Sequence, residues 1–403
     1  MKIAIIREGK VPPDSRVPLS PSQCAHLRQE LGLDLVVQPS PGRCFTDEDY
    51  RAAGIPLTDD LSDRDLLLGV KEVPIDMLIP NKTYCFFSHT IKEQVYNRPL
   101  LQAILSKNIH LVDYEVLTNE AGKRLIAFGK FAGMVGAHNA LLTYGRRTGQ
   151  PVLKRMKDHL DYAEAVAHYK DCTFPAVKIV LTGNGRVANG AALVLRDMGI
   201  EQLTPEEYLA IDAPGKPVFT QLACKDYAAR IDGSPFQKED FYQHPKLFKS
   251  IFDTYTSSSD IMINGIYWDN DAPAFFTKEE MRQEQFRISV IADVTCDIAP
   301  ISSIPSTLRP STIADPFFGY DPVSEQETAP FQGGSVDMMT IDNLPNELPR
   351  DASVAFGQQF IDHILPEFLG QRQTGVIERA SIAQAGELGP HFQYLADYVA
   401  AVS

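Results

Sequence analysis

The stretch Val177-Lys178-Ile179-Val180-Leu181-Thr182-Gly183-Asn184-Gly185-Arg186-Val187-Ala188-Asn189-Gly190 decides how the chain folds. An apolar run of strand length ends in a glycine turn and passes directly into a helical pattern. Gly183 permits the tight turn, and Gly185 lets the backbone approach a pyrophosphate resting on the helix N-terminus. A third glycine, Gly190, comes later than in the usual GxGxxG spacing, so the loop is a variant of that fingerprint. Arg186 is placed to contact phosphate or cover an adenine, and Val187 continues the same turn. An ordinary strand-turn-helix corner is the plainer reading, and the strand before and helix after weigh against it.

Outward from this loop, short apolar runs alternate with helical stretches. In the first third they are Lys2 to Ile6, Asp34 to Val37, Leu66 to Val70, Thr83 to Phe87 and His110 to Tyr114. A second set comprises Ala176 to Leu181, Asp260 to Ile266, Arg287 to Ala292 and Ser311 to Ala314. Such alternation builds parallel sheets covered by helices on both faces. It predicts an α/β protein of two doubly wound Rossmann-like domains with a cleft between them. Residues 1–130 and 325–403 form a discontinuous substrate and catalytic domain, and 131–324 the dinucleotide-binding Rossmann domain. The small-residue stretch Gly129 to Gly145 reads as a long packed helix leading into the second domain. The amphipathic run Ala352 to Phe368 returns to the first, and two covalent crossings make a hinge. Asp212 to Leu247, broken by prolines and glycines, reads as an excursion on the second domain.

Composition narrows the function. The chain has 403 residues, 38 basic and 52 acidic side chains and a formal charge of -14. Without a basic tract, a nucleic-acid or anionic-membrane partner is not expected. The six cysteines have no CxxC spacing, which argues for reduced thiols rather than a disulfide frame or a metal knot. No run of about 18 apolar residues occurs, and the start MKIAIIREGK turns charged too soon for a signal peptide. A cytoplasmic protein is expected.

Two ionisable residues stand at neighbouring strand ends. Leu66-Leu-Leu-Gly-Val70 delivers Lys71, and Tyr84-Cys-Phe-Phe87 delivers Ser88 and His89. Open α/β sheets bind ligands beyond the carboxyl ends of their strands, so both positions suit proton transfer. Taken singly, a strand-end lysine is more often solvated and a lone histidine more often a satisfied polar group. For the cofactor's 2′ group, an acid ending the strand after the glycine helix would favour NAD. Gly199-Ile-Glu-Gln-Leu-Thr-Pro205 offers none at its end, and no arginine for a phosphate, so NAD and NADP both stay open.

Seven further motifs carry a family resemblance. GVKE at 69–72, FFSHTIK at 86–92, the Arg-x-Pro-Leu-x-Pro pattern at 16–21, AFGKFAG at 127–133, TGNGRVANGA at 182–191, INGIYW at 263–268 and IDNLPNELPRDAS at 341–353 are similar to lysine-forming saccharopine dehydrogenase. They also resemble the lysine–2-oxoglutarate reductase half of bifunctional lysine-degrading enzymes. Alanine dehydrogenase and the transhydrogenase domain look like more distant relatives. The resemblance runs from Met1 to about Tyr398. It implies an NAD- or NADP-dependent oxidoreductase interconverting saccharopine with lysine and 2-oxoglutarate, which are its small-molecule partners.

By this resemblance Lys71 is the acid-base for the secondary amine. His89 handles water addition and carbinolamine breakdown, and Glu115 is a carboxylate near Lys71 that tunes it. Arg16, Lys92, Arg124 and Phe128 match substrate-site positions. Asp297, after Ala292-Asp-Val-Thr-Cys296, matches an acidic segment on the cofactor side, with Gly183, Gly185, Arg186, Val187 and Gly190. Burial lowers a lysine pKa and a nearby carboxylate raises it, so the pair can reach a working value. The chain departs from a family member with a disulfide near the glycine loop, since position 187 is Val and 265 is Gly. Two other readings are an amino-acid dehydrogenase of the alanine or opine type, and a non-catalytic nucleotide-binding relative.

Overall fold

A computed structural model describes residues 1–150 and 153–401. The chain divides into two compact units, Met1–Phe128 with Pro349–Ser403, and Gly129–Leu348. The first crossing falls near the expected 130/131. The second lies at Leu348/Pro349 rather than 324/325, because a strand at Val336–Met339 belongs to the sheet of the second unit.

The first unit is built on β1 (Lys2–Ile5), β2 (Asp34–Val37), β3 (Leu66–Leu68), β4 (Thr83–Phe86) and β5 (His110–Asp113). These pair in parallel in the order β5-β4-β3-β1-β2. All three residues of β3 are buried, and the other four strands bury their last three; sheets covered on both faces demand such continuous apolar runs. From the C-terminal segment, Ser381–Gln384 adds to β5 antiparallel and Glu387–Leu388 closes that edge. The chain leaves β1 to build β2 on one side and β3 on the other. That reversal opens a crevice at the carboxyl ends of β1 and β3, where such sheets hold ligands.

In the second unit the strands are β6 (Lys178–Thr182), β7 (Glu201–Leu203), β8 (Val218–Leu222), β9 (Ala228–Arg230), β10 (Phe248–Ser250), β11 (Ile261–Asn264), β12 (Val290–Asp293), β13 (Phe317–Asp321), β14 (Gln326–Thr328) and β15 (Val336–Met339). β9 and β10 pair antiparallel as a small two-stranded sheet, and the rest make one sheet in the order β14-β13-β15-β12-β11-β6-β8-β7. Its reversal lies between β6 and β11. Two expectations need correcting. Ser311 to Ala314 is a loop carrying one bridge to Ile341, because its apolar content is too small to fill a strand position. And 212–247 is no mere excursion: it supplies β8, which pairs directly with β6 and pushes β7 to the edge. Pro214, Gly215 and Pro217 just before Val218–Leu222 hid a five-residue strand.

The predicted long helix spans Gly129–Thr148 and packs on the helix Arg186–Asp197 that follows the glycine loop. Their approach depends on two glycines. A Cβ on Gly133 would lie 1.8 Å from the Val187 carbonyl oxygen, and one on Gly190 would lie 2.0 Å from that of Lys130. Gly190 therefore faces the neighbouring helix and not a cofactor, which corrects its expected role. A Cβ on Gly185 would meet nothing within 4 Å.

This contrast is testable. Gly190→Ala should cost about 2 kcal/mol or more by overpacking, lowering the melting temperature by about 4–8 °C for a unit of this size. Gly185→Ala should stay within about 2 °C of the parent, as open surface changes do. Thermal unfolding followed by circular dichroism separates the two.

Candidate active site

Ordered main chain places the chemical groups of the first unit. Beyond β3, the amide N–H of Val70 donates to Glu8 Oε1 at 2.6 Å, and that of Lys71 donates to Glu8 Oε2 at 2.9 Å. Glu8 stands just past β1, so one side chain bridges the two strands at their reversal. Burial pushes the Glu8 carboxyl up to about 8, while the two amide bonds pull the other way. Both carboxyl oxygens serve as acceptors here, and ionisation strengthens each bond. At the next strand end, the buried Asp113 carboxylate accepts from Ser88 N–H at 3.0 Å and from Glu115 N–H at 2.7 Å. It thereby ties the turn carrying His89 to the end of β5. His89 itself has left-handed backbone, φ 55°, at the start of the turn Thr90–Lys92.

Lys71 is partly buried, and its pKa is lowered, first by burial and then by the positive charge of Arg16. Asp14 and Glu72 are the carboxylates that oppose this shift most strongly. Glu115, the expected tuner, reaches elsewhere: its Oε1 lies 3.5 Å from Lys92 Nζ. The sequence reading missed Glu72, which sits immediately after Lys71. Its Oε1 is 2.5 Å from His89 Nδ1 and its Oε2 is 2.7 Å from Lys10 Nζ. Burial disfavours ionisation of Glu72, but the bonds and charges of His89 and Lys10 outweigh it and hold the carboxyl at about 2. An ionised carboxylate can only accept, so the proton between them belongs to His89 Nδ1. The other ring nitrogen, Nε2, is left as the reactive one.

Around this pair lie the expected substrate residues. Arg16 is buried and clamped by Asp14, with Nε to Oδ1 at 2.9 Å and Nη2 to Oδ2 at 2.6 Å. Its guanidinium stacks 4.2 Å above the Phe128 ring, which in turn stacks on Phe356. Arg16 is thus a pre-oriented, partly neutralised cation. Arg124 donates from Nε to the Ile126 carbonyl and lies over Phe87. Phe87 also stacks 6.4 Å from the His89 ring, so one aromatic surface carries both groups.

The second unit holds a separate cleft of about 440 Å³ at the β6/β11 reversal, lined by Gly185, Arg186, Val187, Gly265, Thr295 and Asp297, among others. Gly183, φ 97°, makes the turn at the end of β6, and its own Cβ position is filled by the Gly265 carbonyl. Gly185 caps a helix of 12 residues with its face open to the cleft. An anionic pyrophosphate fits such an end, where free N–H groups and the helix dipole converge. Burial, and then Asp293, push the Asp297 carboxyl up to about 6. Of the expected cofactor residues, the cleft thus gathers Gly185, Arg186, Val187 and Asp297 on its wall, with Gly183 making the turn; Gly190 stays in the helix packing. All six cysteines are free, and no metal-binding cluster occurs among the described residues.

Comparison with known proteins agrees with this arrangement. The alanine dehydrogenase/PNT N-terminal domain matches residues 4–135. An L-alanine dehydrogenase structure superposes with a TM-score of 0.67 at 17% identity, covering 99% of this chain and 100% of that one, a likeness of fold. Alpha-aminoadipic semialdehyde synthase of Arabidopsis thaliana is 31% identical across 95% of this chain, but over only 40% of that protein. The mitochondrial mouse synthase is 28% identical over 98% of this chain and 47% of its own length. The chain spans less than half the length of these two relatives. The saccharopine dehydrogenase [NAD(+), L-lysine-forming] of Yarrowia lipolytica is 27% identical over 92% of this chain and 93% of that protein. Along most of its length the chain is thus similar to lysine-forming saccharopine dehydrogenases. Within the two sheets, Lys71, Glu72 and His89 are this chain's candidate acid–base group, and Gly183 to Val187 its candidate dinucleotide turn.

The Glu72 pair has a measurable signature. Its carboxyl titrates near 2 when folded and near 4.5 otherwise, so the ionised form stabilises the fold above pH ~4.5 and this gain is lost as pH falls towards 2. Glu72→Gln should cost up to about 3 kcal/mol at neutral pH, since each tenfold change in proton affinity is worth about 1.4 kcal/mol. The gap to the parent should shrink steadily below pH ~4. Urea unfolding at graded pH reads it, and a gap that widens in acid would refute the pair.

Proposed function

We propose that this chain is a nicotinamide-dependent oxidoreductase acting on the CH–NH bond of saccharopine. The reaction is saccharopine + NAD(P)+ + H2O giving L-lysine, 2-oxoglutarate and NAD(P)H, in either direction. The observation that carries it is a lysine held towards its neutral form beside a carboxylate-oriented histidine, at the reversal of a sheet whose companion unit carries a dinucleotide turn.

Lys71, as the free amine, takes the proton from the substrate's secondary ammonium and frees the nitrogen lone pair. A nicotinamide cofactor held at the Gly183–Val187 turn would supply the acceptor for the hydride that leaves the adjacent carbon. Water then adds to the resulting imine of the substrate, and His89 Nε2 takes its proton. The same nitrogen returns a proton as the carbinolamine breaks to amine and keto acid. Glu72 keeps Nδ1 protonated throughout, so His89 can cycle at one nitrogen only, as a general acid–base requires. The three carboxylates of saccharopine need fixed cations, and Arg16, Lys92 and Arg124 with the Phe128 platform supply them. Asp14 holds Arg16 in one orientation before substrate arrives, so less ordering is lost on binding.

Absorbance at 340 nm with saccharopine, and with lysine plus 2-oxoglutarate, should show turnover. Lys71→Met should lower kcat by about 10²–10⁴-fold while leaving dinucleotide binding intact. Turnover of alanine but not saccharopine, or a fully active Lys71→Met, would contradict the reading.

A further inference from the structure

The strand that ends in the glycine turn begins with a buried charge. Lys178 opens β6 at its amino end, opposite the end that meets the dinucleotide cleft, and is 1% exposed. An ammonium so far out of water is almost always paired with a carboxylate. Lys178 Nζ instead donates to two carbonyls at the end of the helix Pro205–Ala210, Tyr208 at 2.8 Å and Ile211 at 2.5 Å. It also lies 4.4 Å from the Tyr208 ring centroid. No carboxylate forms an ion pair with it among the described residues; Asp212 and Asp260 act on it only from farther away. An ammonium has three N–H donors, so one is left over.

Lys178 lines a pocket of about 390 Å³ together with Arg287, Thr254, Ser257, Ser258 and Asp212. Arg287 is fixed there by its main-chain N–H, which donates to the Thr256 carbonyl at 2.8 Å, and by Nε, which donates to Asp260 Oδ1 at 2.9 Å. Its two Nη groups have no hydrogen-bond partner among the described residues. The other oxygen of Asp260 accepts the main-chain N–H of Lys178 at 2.9 Å, so that carboxylate is fully engaged. Ser257 and Ser258 direct their hydroxyl hydrogens to carbonyls of their own helix, which leaves the Thr254 hydroxyl as a further donor. Burial, and then the charge of Arg287, lower the Lys178 pKa. Two cations thus line one pocket and disfavour each other. A bound anion relieves both effects, because it supplies the counter-charge that a buried ammonium lacks.

We infer that this pocket is a binding site for a phosphate group, held by Lys178 Nζ, the Arg287 guanidinium and the Thr254 hydroxyl, and separate from the dinucleotide cleft. A tetrahedral oxyanion can accept from an ammonium, a guanidinium fork and a hydroxyl at once, and its charge strengthens each bond. Asp212, which is exposed, is the opposing charge on the pocket wall.

Isothermal titration of the full chain with inorganic phosphate, without nucleotide, tests the site. Phosphate should bind saturably and raise the melting temperature as its concentration rises. Arg287→Ala should weaken it by about tenfold, the worth of one charge-assisted contact. Asp212→Asn, which removes the opposing charge from an exposed position, should tighten it by about fivefold. Lys178→Met should abolish it; should that buried change prevent folding, the other two variants still decide. Glycerol 3-phosphate distinguishes the source: tighter binding than inorganic phosphate assigns the pocket to a phosphomonoester, and weaker binding assigns it to the free ion. Phosphate lodged only at the glycine turn would be indifferent to Arg287→Ala and Asp212→Asn, and that result overturns the inference. Absence of saturable binding, or acetate bound as tightly as phosphate, overturns it equally.

Discussion

The structure turns on the cost of keeping a lysine ammonium out of water at the end of β3. Lys71 is fixed there through its backbone: Glu8 grips the amides of Val70 and Lys71, and Arg16 adds a like charge. Desolvation and repulsion both favour the neutral amine, which is the form able to accept a proton. Asp14 and Glu72 limit the shift, but each also bonds closely to other partners, Asp14 to Arg16 and Glu72 to Lys10 and His89. A lysine locked in a tight salt bridge would be a poor base. One whose neighbouring carboxylates are shared with other cations can still cycle.

Both units use the same topological device for different chemistry. Each sheet reverses its winding once, and each reversal opens a place at the carboxyl ends of two strands. In the first unit, side chains fill that place: Glu8, Lys71, Glu72 and His89. In the second it is left to glycines, so the peptide backbone and a helix end are what a ligand meets. The interlocked glycines Gly133 and Gly190 bring the long helix against the dinucleotide helix, fixing the turn that Gly183 and Gly185 make.

Much of this was legible from residues alone. Continuous buried runs such as Leu66–Leu68 and Lys178–Thr182 announce central parallel strands, and the glycine turn announces its own geometry. What escaped reading was what depends on pairing. β8 is bounded by turn residues and carries a polar Thr220 and Gln221, so nothing local shows that it displaces β7 from the centre. Glu115 is assigned to Lys71 by resemblance, but Asp113 positions its main chain and Lys92 meets its side chain. Glu72 was in plain view inside GVKE, yet its function appears only when His89 arrives from the next strand. Gly190 enters the glycine loop only as its late third glycine, and helix packing reveals that its missing side chain makes room for Lys130.

The most direct measurement concerns the protonation of Lys71 itself. Competitive acylation of lysine amines over a range of pH, quantified peptide by peptide by mass spectrometry, reports each amine's titration, since only the neutral form reacts. Lys71 should show a midpoint clearly below that of the exposed lysines of the same chain. A midpoint at or above theirs would contradict its role, because Lys71 would then be an ordinary ammonium group and not a base.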